Sequence, residues 1–346
     1  MTATMGAIVL RSHGGPEVLE WARVPRPVPS RDEVLVRVEA CGVNHLDLHV
    51  RRGLPGRPLE MPHILGNEPV GVIEELGPEA EGVAAGDRVV VAPGYLDRFR
   101  ADRSGLDTRF PEYKVIGQQS PGGYGEYVKA RAENVVRVSD RWSPEEWAAT
   151  PLVFLTAWHM LVGRARVRPG ETVLVVAAGS GVGVAAVQIA RHLGCRVVAT
   201  AGAQWKLAKA AELGAVHGVL HSDPDWAKRV RALTGGVDVV VEHVGGETFV
   251  QAVTTLARGG RLVTCGATTG TAASIHLGHL FAKQLSLLGS YMGDFRELLD
   301  VVALLEAGHL RPVVDCVTPI RDAAAAHRRL ESREAFGKIV LKHANS

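Results

Sequence analysis

The segment Val173–Gly194, VLVVAAGSGVGVAAVQIARHLG, runs from a short apolar stretch into Gly179, Ser180, Gly181, Val182 and Gly183 and then into a helix-length apolar pattern. A turn this tight needs residues without bulky Cβ substituents. The amides that open the following helix, aided by its dipole, can hold a pyrophosphate. Strict dinucleotide fingerprints have glycine at three places; here Ala178 and Ser180 stand at the first two and Gly183 at the third. The strand-turn-helix setting is the one that this chemistry requires, so Ser180, Gly181, Val182 and Gly183 are read as cofactor contacts. An acidic residue ending the next strand would accept hydrogen bonds from an unphosphorylated ribose and repel a 2′-phosphate. The stretch from Ala199 to Ala211 has no carboxylate, while Lys206, with Lys209 one turn further, can meet a phosphate. NADPH is therefore favoured over NADH.

The elements that must position such a turn are legible around it. Thr172–Ala178, Arg196–Ala201, His217–Leu220, Val237–Val244 and Arg261–Gly266 are apolar runs of strand length, and helical patterns begin near Val182, Lys206, Asp225 and Glu247. This alternation predicts a doubly wound parallel sheet in an α/β chain. Before it, Glu33–Ala40, Val70–Leu76 and Arg88–Ala92 read as strands between glycine-rich turns. After it come a helical run, Phe295–Glu306, the segment Pro312–Ile320, and a last strand, Gly337–Lys342, expected to return to the first domain. The expected division is a β-rich catalytic domain over 1–151, a dinucleotide-binding domain over 152–290, and a return to the first domain over 291–346.

The bulk properties agree with an enzyme acting on small molecules. A chain of 346 residues is longer than one core usually supports. The formal charge of +2 with scattered basic residues lacks the footprint of a nucleic-acid or anionic-membrane binder. Cys41, Cys195, Cys265 and Cys316 lie far apart, which argues against a disulfide framework and a thiolate metal site. The opening MTATMGAIVLRSHGG has too short an apolar run for a signal-peptide core, so the protein is expected in the cytoplasm.

The segment GVNHLDLHVRRG, the region Gly66–Gly71, the GGYGEYV run and the glycine turn occur in the order found in the medium-chain dehydrogenase/reductase superfamily, which nearly the whole chain resembles. The resemblance implies a GroES-like β-rich catalytic domain beside a Rossmann cofactor domain. In zinc alcohol dehydrogenases of that family two ligands of catalytic zinc fall where this chain has Asn44 and Asn67, and the third falls at Leu152 if Thr156 is the threonine that follows it. Amides are poor zinc ligands and leucine is none, so no metal is expected. Scattered histidines such as His45, His49 and His63 are assigned ordinary hydrogen bonds. The lobe that often holds a structural zinc resembles Gly94–Tyr113, which has Tyr95, Phe99 and Phe110 and no cysteine. Gly42, Asn44 and Asp47 match the G-x-N-x-x-D pattern of the zinc-free quinone reductase branch, which commonly uses NADPH with a lysine placed like Lys206.

This resemblance implies hydride transfer between a nicotinamide and a small carbonyl or quinone substrate. Without zinc, hydrogen-bond donors must stabilise charge on the acceptor. Asn44 and Asn67 are the first candidates, or else buried amides bonded to backbone. His49 matches the family's proton-relay histidine, although Leu46 replaces the hydroxyl residue of that relay. Tyr95 and Tyr291 are alternative donors or structural, and Asp47 and Glu68 resemble residues that orient the site. Further cofactor contacts are assigned to Thr156, Gly202, Val244, Gly266 and Lys338. Reduction of a polarised acceptor depends on a Lewis acid less than alcohol oxidation does. The expected activity is zinc-independent, NADPH-dependent reduction of a quinone, enone or enal. The alternatives are a metal-free NAD(P)-dependent alcohol dehydrogenase or aldehyde reductase, and an NADPH-binding or sensing module. A homodimer or homotetramer is expected through Leu285–Ser290.

Overall fold

A computed structural model describes residues 3–54, 56, 58–96 and 107–343. The chain divides into two units, Met1–Leu152 with Asp294–Ser346, and Val153–Gly293.

In the first unit β1 (Thr4–Leu10) pairs antiparallel with β2 (Leu19–Pro25). The hub is β3 (Glu33–Gly42), which pairs antiparallel with β4 (Glu68–Leu76) on one side. Beyond β4 lie β5 (Arg88–Val91) and, after the small β6 (Gly94–Tyr95) and β7 (Lys114–Val115) ribbon and β8 (Tyr127–Arg131), β9 (Val135–Arg137). The strand β8 pairs with the start of β3. The alternation in Glu33–Ala40 places Val34, Val36 and Val38 in one cluster with Ile73, Val89 and Val91. Gly71 is required where β4 crosses β3, since a Cβ there would lie 1.9 Å from the Arg37 carbonyl oxygen. Short helices α1 (His45–Arg52) and α2 (Pro144–Trp147) flank the sheet's segments, and α3 (Pro151–Trp158) leads out of the unit.

The second unit is one parallel sheet of six strands: β10 (Thr172–Val175), β11 (Arg196–Ala201), β12 (Ala215–Leu220), β13 (Val237–Glu242), β14 (Leu256–Thr264) and β15 (Ser286–Gly289). Their order is β12-β11-β10-β13-β14-β15, so the winding reverses at β10. The helices α4 (Gly181–His192), α5 (Gln204–Leu213), α6 (Trp226–Thr234), α7 (Gly246–Thr254) and α8 (Leu277–Ala282) connect successive strands. The central strands are buried on both faces, which is why they read as unbroken Val-rich runs. Three strands of this sheet end earlier than the apolar pattern predicts: β14, which stops at Thr264 rather than Gly266, and two others. The first, β10, stops at Val175 because Ala177 turns into positive φ, and β13 stops at Glu242 because that carboxylate takes the amides of Val244 and Gly245 at 2.6 and 2.8 Å.

The chain then re-enters the first unit through α9 (Phe295–Glu306), β16 (Val314–Pro319), α10 (Ala323–Glu331) and β17 (Lys338–Lys342). Strand β17 pairs antiparallel with the end of β3, from Val340 opposite Gly42 to Lys342 opposite Ala40, completing the sheet β16-β17-β3-β4-β5-β9. Under β1, a core of Ile8, Leu10, Leu65, Ala326 and Leu341 encloses the fully buried His327. Burial and then the Arg51 charge push this imidazole down to about 3, so it is neutral. Arg51 Nη1 lies 3.1 Å from Nδ1 and can only donate; Nδ1 accepts, and Nε2–H donates to the Tyr124 hydroxyl at 3.0 Å.

Because the folded pKa of His327 lies below its ordinary value of 6.5, its contribution to stability is complete above pH 6.5 and is lost as the pH falls toward 3. Urea unfolding across that range should show a shallower acid decline for His327→Gln than for the wild type. Equal slopes would show that the ring is not held neutral.

Candidate active site

In the second unit the glycine turn follows β10. Ala178 N–H donates to the Thr200 carbonyl at 2.8 Å, locking the turn against β11. Ser180 has φ −75° and needs no glycine; its hydroxyl accepts from Gly183 N–H at 2.9 Å and caps α4. Gly183 is required, because a Cβ there would lie 2.6 Å from the Ala177 carbonyl oxygen and 2.7 Å from Ala178 Cα. Ser180 Oγ also lies 2.8 Å from Nε2 of His243, the first residue past β13. Burial, then the nearby His221, push His243 down to about 4, so the ring is neutral, and its Nδ1 is buried with no hydrogen-bond partner. Leaving such a group unpaired costs about 1–3 kcal/mol. The capped helix start, the glycine-only approach and the orphaned ring nitrogen fit a bound dinucleotide, whose oxygens or hydroxyls would complete them.

The other sequence-assigned cofactor residues fall around this cradle or elsewhere in the same unit. Gly202 follows β11, and Lys206 sits in the first turn of α5 with its ammonium 5.2 Å from the Trp205 ring centre, which Lys209 approaches at 5.3 Å. Val244 lies on the turn that Glu242 organises, and Glu242 also accepts from Thr264 Oγ1 at 3.0 Å. Gly266 lets the chain leaving β14 pass the exit of β13, since a Cβ there would lie 2.9 Å from the His243 carbonyl oxygen. Thr156 is buried on α3 with an unpartnered Oγ1.

The first unit gathers the catalytic candidates at the start of α1. Asn44 N–H donates to Asp47 Oδ2 at 2.8 Å, and Asp47 Oδ1 accepts from Gly66 N–H at 3.0 Å. Burial raises the Asp47 carboxyl to about 7 against these two amides and Lys338, and the carboxyl also faces the Tyr124 hydroxyl. The Asn44 amide is fixed at both ends: Nδ2 donates to Glu68 Oε2 at 2.9 Å and Oδ1 accepts from Lys338 Nζ at 2.6 Å. Lys338 also donates to the Val43 carbonyl at 2.6 Å and pairs with Glu68 Oε2 at 2.7 Å, with side chains 3% and 0% exposed. Glu68 Oε1 accepts from Leu152 N–H at 2.7 Å. Lys338, assigned to the cofactor from sequence, thus has its ammonium among Asn44, Glu68 and Val43.

The remaining candidates are not all drawn into that cluster. Asn67 is fully buried, its Nδ2 donating to the Ile116 carbonyl at 2.7 Å while its Oδ1 has no partner. His49 lies half-buried on α1, its pKa lowered by burial and then by Arg52. Tyr95 packs on the Val34–Val38 cluster, Tyr291 is exposed, and His63 bonds the Gly117 carbonyl at 3.1 Å. Phe99 lies outside the described residues. Zinc does not fit the set Asn44, Asn67 and Leu152: two amides already bonded within the protein, one hydrocarbon, and an ammonium at Asn44 Oδ1. Sequence reasoning missed His221 and His243; the signal available was their position just past parallel strands, where open α/β sheets bind ligands.

Residues 30–140 match the family described as alcohol dehydrogenase GroES-like domain, and residues 181–307 that described as zinc-binding dehydrogenase. The zinc-type alcohol dehydrogenase-like protein of Schizosaccharomyces pombe is 33% identical over 321 residues, 90% of each chain. The protein belongs to the medium-chain dehydrogenase/reductase superfamily. As a member it is an NAD(P)H-dependent oxidoreductase with a GroES-like domain and a Rossmann-like domain. The human quinone oxidoreductase is 29% identical over 97% of both chains. A crystal structure described as an NAD-dependent alcohol dehydrogenase shares 46% identity, covers 98% of this chain and 99% of that one, and superposes with a TM-score of 0.94.

Breaking a buried pair leaves an uncompensated charge, so Lys338→Met should lower stability by about 3–5 kcal/mol. The double variant Glu68→Gln/Lys338→Met should lose less than the sum of its parts. Strictly additive losses in denaturant titrations would show that the pair is not coupled.

Proposed function

We propose that this dehydrogenase/reductase is a zinc-independent, NADPH-preferring enzyme that reduces a conjugated carbonyl: a quinone, an enone or an enal. The observation that carries this reading is the Lys338–Glu68–Asn44 cluster, in which a lysine ammonium is bonded to Asn44, the residue that stands where the related zinc enzymes hold a ligand. A bound nicotinamide supplies the hydride. Ser180, the amides opening α4 and His243 would hold the dinucleotide.

The first unit supplies polarisation. With Oδ1 on an ammonium and Nδ2 on a carboxylate, the Asn44 amide cannot flip without facing like against like. Nδ2 carries a second hydrogen with no partner among the described residues, suited to a carbonyl or quinone oxygen gaining charge. His49 is the proton donor candidate nearest this group in sequence, on the same helix. Acceptors that are already polarised need less from such a donor than an alcohol does. The kinship with quinone oxidoreductases supports the acceptor class, and the carboxylate-free Ala199–Ala211 stretch supports NADPH.

Four free cysteines support a reducing, cytoplasmic setting, and no helix among the described residues is long and apolar enough to cross a membrane. The partner is a second copy of the chain: β15 ends the parallel sheet, close in sequence to Leu277 and Phe281 of α8, which are 69% and 76% exposed. Light scattering should report a dimer or tetramer, and Phe281→Asp should shift it toward monomer; a wild-type monomer rejects the pairing.

Protein purified without added metal should consume NADPH faster than NADH with a 1,4-quinone or an enone and contain no stoichiometric zinc by elemental analysis. Stoichiometric zinc together with alcohol or aldehyde turnover would replace this reading by an alcohol dehydrogenase. NADPH binding without turnover of any acceptor would make the chain a sensing module.

A further inference from the structure

The Asp47 carboxylate holds two main-chain amides, Asn44 N–H on Oδ2 and Gly66 N–H on Oδ1, and so fixes where Asn44 and the Gly66–Asn67 segment stand. It also faces the Tyr124 hydroxyl, behind which lie His327 and Arg51. All three are fully buried, and the hydride chemistry uses none of them.

We propose that Arg51, His327 and Tyr124 are positioning residues, a one-way chain of hydrogen bonds that keeps Asp47 ionised and thereby sets the lowest pH at which the site is assembled for reduction. The consequence for turnover rests on the reductase reading above; the chain itself does not.

A guanidinium has hydrogens and no lone pair to offer, so His327 Nδ1, 3.1 Å from Arg51 Nη1, must accept. The neutral ring then has its one hydrogen on Nε2, which donates to the Tyr124 oxygen at 3.0 Å. Burial and then the Asp47 charge hold the phenol well above its usual range, so Tyr124 keeps its own hydrogen. His327 is a donor and cannot take that hydrogen; the carboxylate that Tyr124 faces can. A protonated Asp47 would have to donate to Tyr124 and leave the phenol hydrogen without an acceptor. The chain therefore opposes protonation.

Burial works the other way. It raises the Asp47 carboxyl to about 7 against the two amides and the Lys338 charge on β17, and Glu68 on β4 adds to the rise. Cys41 on β3 stays a thiol, its pKa pushed up by burial and then by Asp47. Because the folded value lies above the ordinary 3.8, the ionised form prevails above about pH 7 and is lost below it. A neutral carboxyl holds the amides of Asn44 and Gly66 less strongly than a charged one, which is how pH reaches the site.

Carbon-13 NMR of the carboxyl groups follows the Asp47 titration in the intact protein without turnover, with Asp47→Asn identifying the resonance. The pH profile of kcat/KM with NADPH and a 1,4-quinone follows its effect. The wild type should titrate near pH 7 and show an acid limb in kcat/KM at the same pH. Tyr124→Phe removes the last donor, so both midpoints should rise by about one unit or more, with kcat/KM recovering above the raised midpoint. A merely structural defect would lower the rate at every pH alike. His327→Gln can accept from Arg51 through its carbonyl and donate to Tyr124 through its amide, so it should keep both midpoints within about half a unit; His327→Leu should raise them. An Asp47 midpoint unmoved in Tyr124→Phe and His327→Leu overturns the proposal. A midpoint that moves by NMR while the kcat/KM limb stays in place overturns the positioning role. A moved NMR midpoint in a protein that turns over no acceptor supports the chain and overturns the reductase reading instead.

Discussion

Glu68 and Lys338 form an ion pair that water does not reach, and the first unit is arranged around keeping it satisfied. Two buried ions are tolerable only when their remaining hydrogen-bonding capacity is used. Glu68 answers Lys338, Asn44 and the amide of Leu152; Lys338 answers Glu68, Asn44 and the Val43 carbonyl. The partners come from β4, the α1 start, the residue just past β3, the start of α3 and β17. The return of the chain after the parallel sheet is therefore not an appendage, because β17 carries the cation that the buried carboxylate requires.

The same arrangement links packing to chemistry. Arg51, which can only donate, dictates the tautomer of His327, which donates to Tyr124, whose hydroxyl faces Asp47. Asp47 in turn holds the amides of Asn44 and Gly66. Asn44 thus has its backbone set by one buried carboxylate and its side chain by another. A single neutral amide oriented this firmly can act as a directed donor, which a mobile one on the surface could not.

Much of the second unit was legible because its signals are local. A strand buried on both faces must be apolar throughout, and a helix packed on it must repeat its apolar residues each turn, so the alternation of segments shows in the chain. Gly183 is legible for the same reason: the contact that forbids a side chain is with Ala177 and Ala178, a few residues away. Strand ends were less legible, since β13 stops where Glu242 folds back on Val244 and Gly245, and a glutamate in a strand does not announce that it will bond its own successors.

By itself the sequence determined the class of fold, the glycine turn with its helix, the loss of zinc-ligand residue types at Asn44, Asn67 and Leu152, and the absence of an acid after β11. Only the tertiary structure decided that Lys338 stands beside Asn44 and Glu68, that Asn67 turns to Ile116, and that His221 and His243 border the turn. The reason is separation along the chain: Lys338 lies 294 positions from Asn44, and His243 lies 63 from Ser180. Periodicity and turn chemistry report interactions within a few residues, whereas these partners meet only after the sheets set which strands are neighbours.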